Sequence, residues 1–313
     1  MRETKKRVII MGGLGNQLFQ YSFALSYAIK NNVTINLDPN FAAIRINAEG
    51  MTDLSSYQLN EMVQVAEFTR YPSILRKIIG LGIRLNIERD GFSRSFIGIS
   101  FHLVTNLLCS LYFRQKCVLY FADDNGFSNI NEKKKYTTYV GYFQSYLFAD
   151  TEKATVRELA PIKPVEKFKY YMERAQTDKP LIVHIRLTDY RNEPKFGIPS
   201  REYYFEAIKL QFETSRYKRI WLFSDEPFEA MSFIPPKFHE ITDNVSEDIS
   251  GTVESLEVMR LGAGYVLANS TFSWWGAFLS YSNDPFVVYP APWFAGMPEP
   301  SHLCPPQWLP VKR

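Results

Sequence analysis

Arg7-Val8-Ile9-Ile10-Met11-Gly12-Gly13-Leu14-Gly15-Asn16-Gln17-Leu18-Phe19-Gln20-Tyr21 is the stretch that decides the fold class. Residues 7–11 read as a short apolar strand. The glycines that follow suit a turn needing positive φ or close backbone approach. Leu18, Tyr21, Leu25 and Ala28/Ile29 then recur at helical spacing up to Asn31-Asn32. Residues 33–37 read as a second strand, ending at Asp38-Pro39. Strand, helix and strand in that order begin an open parallel sheet.

The same alternation returns from Pro161 onward. Helices are expected at 165–176, 201–214 and 252–262, with another starting at Thr271. Strands are expected at 181–186, 219–223, 238–241 and 265–268, with the last at 286–289. Two α/β regions follow: residues 1–160, with a helical insertion, and residues 161–290. Residues 291–313 are expected to form an extended tail. The middle is harder to read. It holds helical stretches at 73–85 and 96–113, and a charge run at 132–135 that suits a solvated loop. Residues 95–113 carry no formal charge apart from His102 and approach the length of a membrane span. Ser95, Ser100, Thr105, Asn106 and Ser110 argue against a true span. A helix that is buried or touches a membrane is expected instead, the buried role first.

Composition excludes several classes. With 46% hydrophobic residues over 313 positions, the chain can build large cores and is neither disordered nor collagen-like. Thirty-six Lys and Arg against 33 Asp and Glu leave too small an excess to argue for nucleic acid, although one basic cluster could hold a phosphate. Cys109, Cys117 and Cys304 are an odd count without metal spacing, so a disulfide framework and a zinc site are not expected. Residues 8–11 are too short for a signal-peptide core.

Polar groups gather at strand ends, where open α/β sheets bind ligands. Gly13, Asn16 and Gln17 stand at the first helix start, whose N–H groups attract negative charge. A dinucleotide fingerprint would place glycine where Leu18 stands, though Asp38 occupies the position of a ribose-binding acid. His184-Ile185-Arg186-Leu187-Thr188-Asp189-Tyr190 leaves an apolar strand with a guanidinium whose fork fits a diphosphate. An ion pair between Arg186 and Asp189, and a satisfied core role for His184, are the plainer readings. Asn269-Ser270-Thr271-Phe272-Ser273 places hydroxyls at a helix start, for phosphate or simply for capping. Asp225, after Phe223-Ser224, could accept two hydrogen bonds from the edge of guanine; a helix start at Pro227 is the alternative. Trp274 and Trp275 read as core.

These motifs resemble the α-1,2-fucosyltransferase family, glycosyltransferase family 11. Gly12 to Tyr21 resembles its opening motif, and His184-x-Arg186-x-x-Asp189-Tyr190 its donor motif. Phe223-Ser224-Asp225, Asn269 to Ala277, and Tyr289-Pro290 with Trp293-Phe294 complete the order. The resemblance implies a GT-B-like α/β fold of two facing Rossmann-like domains with the active-site cleft between them. It implies an inverting transfer of L-fucose from GDP-L-fucose to the 2-hydroxyl of a galactose-type acceptor, with no cofactor and no required metal. Catalytic roles would fall to Arg186 and Asp189, the latter as a candidate base. Donor binding would fall to His184, Arg186, Asp225, Asn269, Ser270, Thr271 and Ser273. Gly13, Asn16 and Gln17 would position acceptor or sugar. The family usually has a second arginine and a glycine where Leu187 and Thr188 stand.

Expected partners are a galactose-containing oligosaccharide or glycolipid and no nucleic acid. The expected location is cytoplasmic, with peripheral contact at the inner membrane. A nicotinamide-dependent oxidoreductase and a non-catalytic sugar-binding protein are the competing readings.

Overall fold

The structure, a computed structural model, describes residues 6–41, 52–67, 71–88, 93, 95–128, 130, 135–151, 156–214, 217–249 and 251–313. Most of the 132–135 charge run lies outside them. The chain forms two compact units, one of residues 1–162 with 300–303 and one of 163–299 with 304–313. Each is a Rossmann-like unit built on an all-parallel sheet.

The first sheet has five strands: β1 (Lys6–Ile9), β2 (Ile35–Asp38), β3 (Val63–Val65), β4 (Leu119–Phe121) and β5 (Thr138–Val140). Their order is β3-β2-β1-β5-β4. Helix α1 (Leu14–Asn31) buries Leu14, Leu18, Tyr21, Leu25 and Ala28, the periodic stripe of the sequence. It begins where Gly12 turns through φ +76°, a left-handed conformation costly for any side chain. It ends at Asn32, also left-handed, whose N–H reaches the Ala28 and Ile29 carbonyls. Gln20, fully buried, accepts from the Met11 amide and donates to the Gly141 carbonyl, which ties β1's exit to β5's.

Asp38 closes β2 facing inward. It accepts from Arg7, from the amide and side chain of Asn40, and from the Tyr71 hydroxyl. It is 3% exposed, so the ribose-binding role is overturned; the carboxylate is an internal brace.

Helices α2 (Ser73–Glu88) and α3 (Phe96–Phe113) follow β3, and α3 packs against α2 and β4. The buried role expected for 96–113 is also overturned, because only 17% of that helix is buried. Helix α4 (Tyr146–Thr151) packs on α1.

The second sheet has six strands in the order β11-β10-β9-β6-β7-β8. They are β6 (Leu181–Ile185), β7 (Ile220–Ser224), β8 (Thr242–Asn244), β9 (Gly264–Val266), β10 (Phe286–Ala291) and β11 (Leu309–Lys312). Helices α5 (Phe168–Asp178), α6 (Arg201–Thr214), α7 (Pro227–Ala230), α8 (Thr252–Met259) and α9 (Thr271–Phe278) alternate with them up to β10. Every residue of β6 is buried, and one core joins it to Tyr203, Tyr204 and Ile208 of α6 and to Leu187.

Two expectations fail here. Residues 238–241 are not a strand: Pro236–Ile241 is a 3₁₀ turn, begun by two prolines whose fixed φ suits it, and β8 comes just after. Nor is β10 the last strand. Part of the expected tail is β11, parallel to β10 on the sheet edge, where the missing N–H of Pro310 is tolerated.

Candidate functional site

The order of the second sheet reverses about β6. The chain moves from β6 through β7 to β8 on one side, then returns to β9 on the other. Ligands of open α/β sheets bind at such a switch point, beyond the carboxyl ends of the strands. Val183 pairs in register with Val266, so Arg186 and Asn269 each lie three residues beyond a paired position on neighbouring strands.

Arg186 leaves β6 and forms a fork with Asp189: Nε donates to Oδ1 at 2.8 Å and Nη2 to Oδ2 at 3.0 Å. Asp225 at the end of β7 lies 3.3 Å from the same Nε. Burial disfavours the Arg186 charge, but its bonds to Asp189 and the nearby Asp225 charge outweigh it and hold its pKa above the ordinary value. The plainer reading of Arg186 and Asp189, an ion pair, therefore holds.

Asp225 also accepts from the Leu187 amide at 2.9 Å and the Thr188 amide at 3.1 Å. It shapes the loop that carries Arg186, a job different from the guanine contact expected for it. Leu187 is 1% exposed in the core, so no second cation stands there. Tyr190 donates to the Asn269 carbonyl at 2.9 Å and ties the β6 loop to the β9 loop.

Ser270 caps α9, its Oγ accepting from the Phe272 amide at 3.3 Å. Thr271 follows, half-buried, as the first helical residue. Ser273 is fully buried and donates to the Ser270 carbonyl, which places it inside the first turn and away from any ligand at its mouth. Trp274 and Trp275 are fully buried, as core residues should be. Asn269 donates to the Phe196 and Gly197 carbonyls while its buried Oδ1 has no partner.

His184 sits in β6, 5% exposed, its ring 6.0 Å from that of Phe272, and its Nδ1 lacks a partner. Burial, reinforced by the Arg186 charge, pushes its pKa down to about 3. A folded pKa below the unfolded value means that only the unfolded chain takes up this proton between about pH 6.5 and 3. Stability is therefore expected to fall as pH drops through that window. His184→Gln should flatten the fall in melting temperature between pH 7 and pH 4; an unchanged pH slope would rule His184 out as its source.

The first unit's candidates form their own set. Among the described residues, nothing apart from its chain neighbours lies within 4 Å of where a side chain at Gly13 would begin, which leaves the start of α1 open to approach from them. Asn16 Oδ1 accepts from Gln144 Nε2 at 3.0 Å. Gln17 is fully buried, donating to the Gly12 carbonyl and accepting from the Leu54 amide; it braces the turn and does not face a sugar. Gln144 was not singled out from sequence, although its Oε1 is buried without a partner. Its signal was a polar amide just after an apolar strand. Among the described residues no group of three or more His, Cys, Asp or Glu is placed to hold a metal ion.

The arrangement at the second sheet can receive an anion: a guanidinium and the positive end of a helix dipole lie just beyond neighbouring strands at one switch point. An alpha-1,2-colitosyltransferase from Escherichia coli is 22% identical over 97% of this chain and 98% of that protein. The O-antigen biosynthesis glycosyltransferase WbnK, also from Escherichia coli, is 26% identical over 92% and 94% respectively. Among solved structures, the fucosyltransferase NodZ from Bradyrhizobium aligns with TM-score 0.45 at 11% identity, over 89% of this chain and 94% of that one. The Escherichia coli ADP-heptose LPS heptosyltransferase II aligns with TM-score 0.49 at 11% identity, over 98% and 90%. The family model described as glycosyl transferase family 11 matches residues 6–295, nearly the whole chain, and this protein belongs to that family.

Proposed function

We propose that this glycosyltransferase moves L-fucose from GDP-L-fucose to the 2-hydroxyl of a galactose-type acceptor, with inversion at the anomeric carbon and no required metal. The observation that carries the donor half is the placement of Arg186 and the amino end of α9 beyond the neighbouring strands β6 and β9, at the switch point of the second sheet. In the displacement, the acceptor oxygen bonds to the anomeric carbon as the bond to GDP breaks, and negative charge grows on the diphosphate. A preorganised guanidinium and helix dipole aimed at that charge lower the barrier most. Ser270 and Thr271, at the helix start, suit the remaining phosphate oxygens. The open start of α1 at Gly13, with Asn16, suits the acceptor. The linkage draws support from the α-1,2 relative, and a carbohydrate acceptor from the O-antigen relative.

The test is transfer from GDP-L-fucose to a panel of galactosides, with and without EDTA, and the product linkage read by NMR. Failure with every galactoside while a colitosyl donor is consumed would end the fucose reading. A melting temperature raised by NAD and not by GDP would revive the oxidoreductase, and GDP binding without turnover would favour the sugar-binding protein.

Asp189 is expected to act as a competitor for Arg186 and not as the base. It holds the guanidinium edge that a diphosphate would take, and it is half exposed. Asp189→Asn removes that rival charge, so GDP should bind more tightly, by about 1 kcal/mol or roughly fivefold, the scale of a partly exposed ion pair. Calorimetric titration with GDP reads this directly. Unchanged GDP affinity with turnover down more than about a hundredfold would instead make Asp189 the base.

A further inference from the structure

Helix α3 is inside out. Its outward residues are the large apolar ones: Phe96 is 86% exposed, Ile97 72%, Leu111 68% and Leu103 65%. Its inward face carries small and polar residues, with Phe101 and Phe113 packed on the core beside them. Gly98, Thr105 and Cys109 are its buried residues. Asn106 Oδ1 accepts from the Leu119 amide, and Ser110 Oγ from the Cys117 amide. Those bonds pin the polar side of α3 to β4 and the segment leading into it, so the outward face of Leu103, Val104, Leu107 and Leu111 is a fixed feature of the first unit. An apolar face of this extent marks an interaction site.

Charge identifies the occupant. Between positions 71 and 116 the sequence has seven Lys and Arg against two Asp and Glu, a net +5 in a chain whose total is only +3. Lys77 and Arg84 are exposed on α2, and Arg114 and Lys116 are exposed just beyond the end of α3. A second copy of this chain would bring the same positive rim against it. An anionic lipid surface matches both parts, apolar face to acyl chains and basic rim to headgroups.

We propose that α3, rimmed by basic residues of α2 and the segment after α3, is a docking surface for an anionic bilayer. It lies in the interface and does not cross it, because crossing would tear Asn106 and Ser110 from their partners and expose them to hydrocarbon. The proposal is independent of which sugar is transferred.

The test is vesicle flotation of the whole protein with 7:3 phosphatidylethanolamine–phosphatidylglycerol vesicles and with pure phosphatidylcholine, alongside solution mass by light scattering. The protein should float with the anionic vesicles and much less with the neutral ones. Leu103→Gln/Leu107→Gln/Leu111→Gln should cut the partition coefficient about a hundredfold while circular dichroism and GDP-induced stabilisation stay unchanged. Lys77→Gln/Arg84→Gln should cut it about fivefold per charge and keep the apolar face, which covers the case in which the triple variant does not fold. No flotation, equal binding to both vesicle types, retention by both variants, or a dimer that the leucine variant abolishes would each overturn the proposal.

Discussion

Arg186→Ala is expected to lower turnover at least a hundredfold while leaving the melting temperature nearly unchanged. Loss of one preorganised donor to a developing oxyanion costs about 3–4 kcal/mol in the barrier. The side chain is the only part lost. Its acidic neighbour Asp225 keeps the Leu187 and Thr188 amides, so the loop retains its shape and that carboxylate is not left stranded. Asp189 is half exposed and can turn to water. Arg186→Lys should recover little, because one ammonium cannot reproduce the planar fork now closed on Asp189. The measurement is steady-state transfer from GDP-fucose, with GDP affinity from calorimetry as the companion. Near-normal turnover in the alanine variant would remove the diphosphate from this pocket, and with it the donor half of the proposed function. Leu187 sharpens the expectation: buried in the core, it supplies no second charge to compensate.

How much of this was legible in the sequence follows from what local patterns encode. The turn after β1, the stripe on α1 and the polar exits of β6 and β9 are local, and each was readable from glycines, spacing and strand-end chemistry. What went unread depends on partners distant in sequence. Asp225 braces residues 38 and 37 positions away, and Gln17 serves Leu54. A carboxylate or amide in a motif announces hydrogen bonding, but only the fold says to what. Edge strand β11 was hidden by its proline, Pro310, and the 3₁₀ turn before β8 by its apolar Phe238 and Ile241. Helix α3 is the clearest case. Being apolar almost all round, it has little periodic signal to separate an inward from an outward face. Two hydrogen bonds, accepted by Asn106 and Ser110 from the Leu119 and Cys117 amides, decide the matter.

Glu257→Ala is expected to be the most destabilising of these single changes, although the residue lies outside the switch-point site. Glu257 in α8 and Arg260 just after it are 3% and 2% exposed and joined by two bonds, 3.0 and 2.8 Å. Arg260 Nε also donates to the Leu279 carbonyl at the end of α9, and its guanidinium stacks 4.4 Å from the Tyr281 ring. Removing one member of a buried pair leaves the other charge uncompensated, which costs about 3–5 kcal/mol. For a unit of this size that is a drop of order 10 °C in melting temperature. Glu257→Leu with Arg260→Met removes both charges together and should restore most of the loss. The same pair fixes the carboxyl end of α9, whose amino end carries Ser270 and Thr271. GDP affinity of the alanine variant, measured well below its melting point, should therefore fall as well, and the double variant should recover it less fully than it recovers stability, since only the native pair holds the Leu279 carbonyl. A loss below about 1 kcal/mol on Glu257→Ala would mean that water reaches Arg260 and that α9 is held by other contacts, such as Trp274 against Trp308.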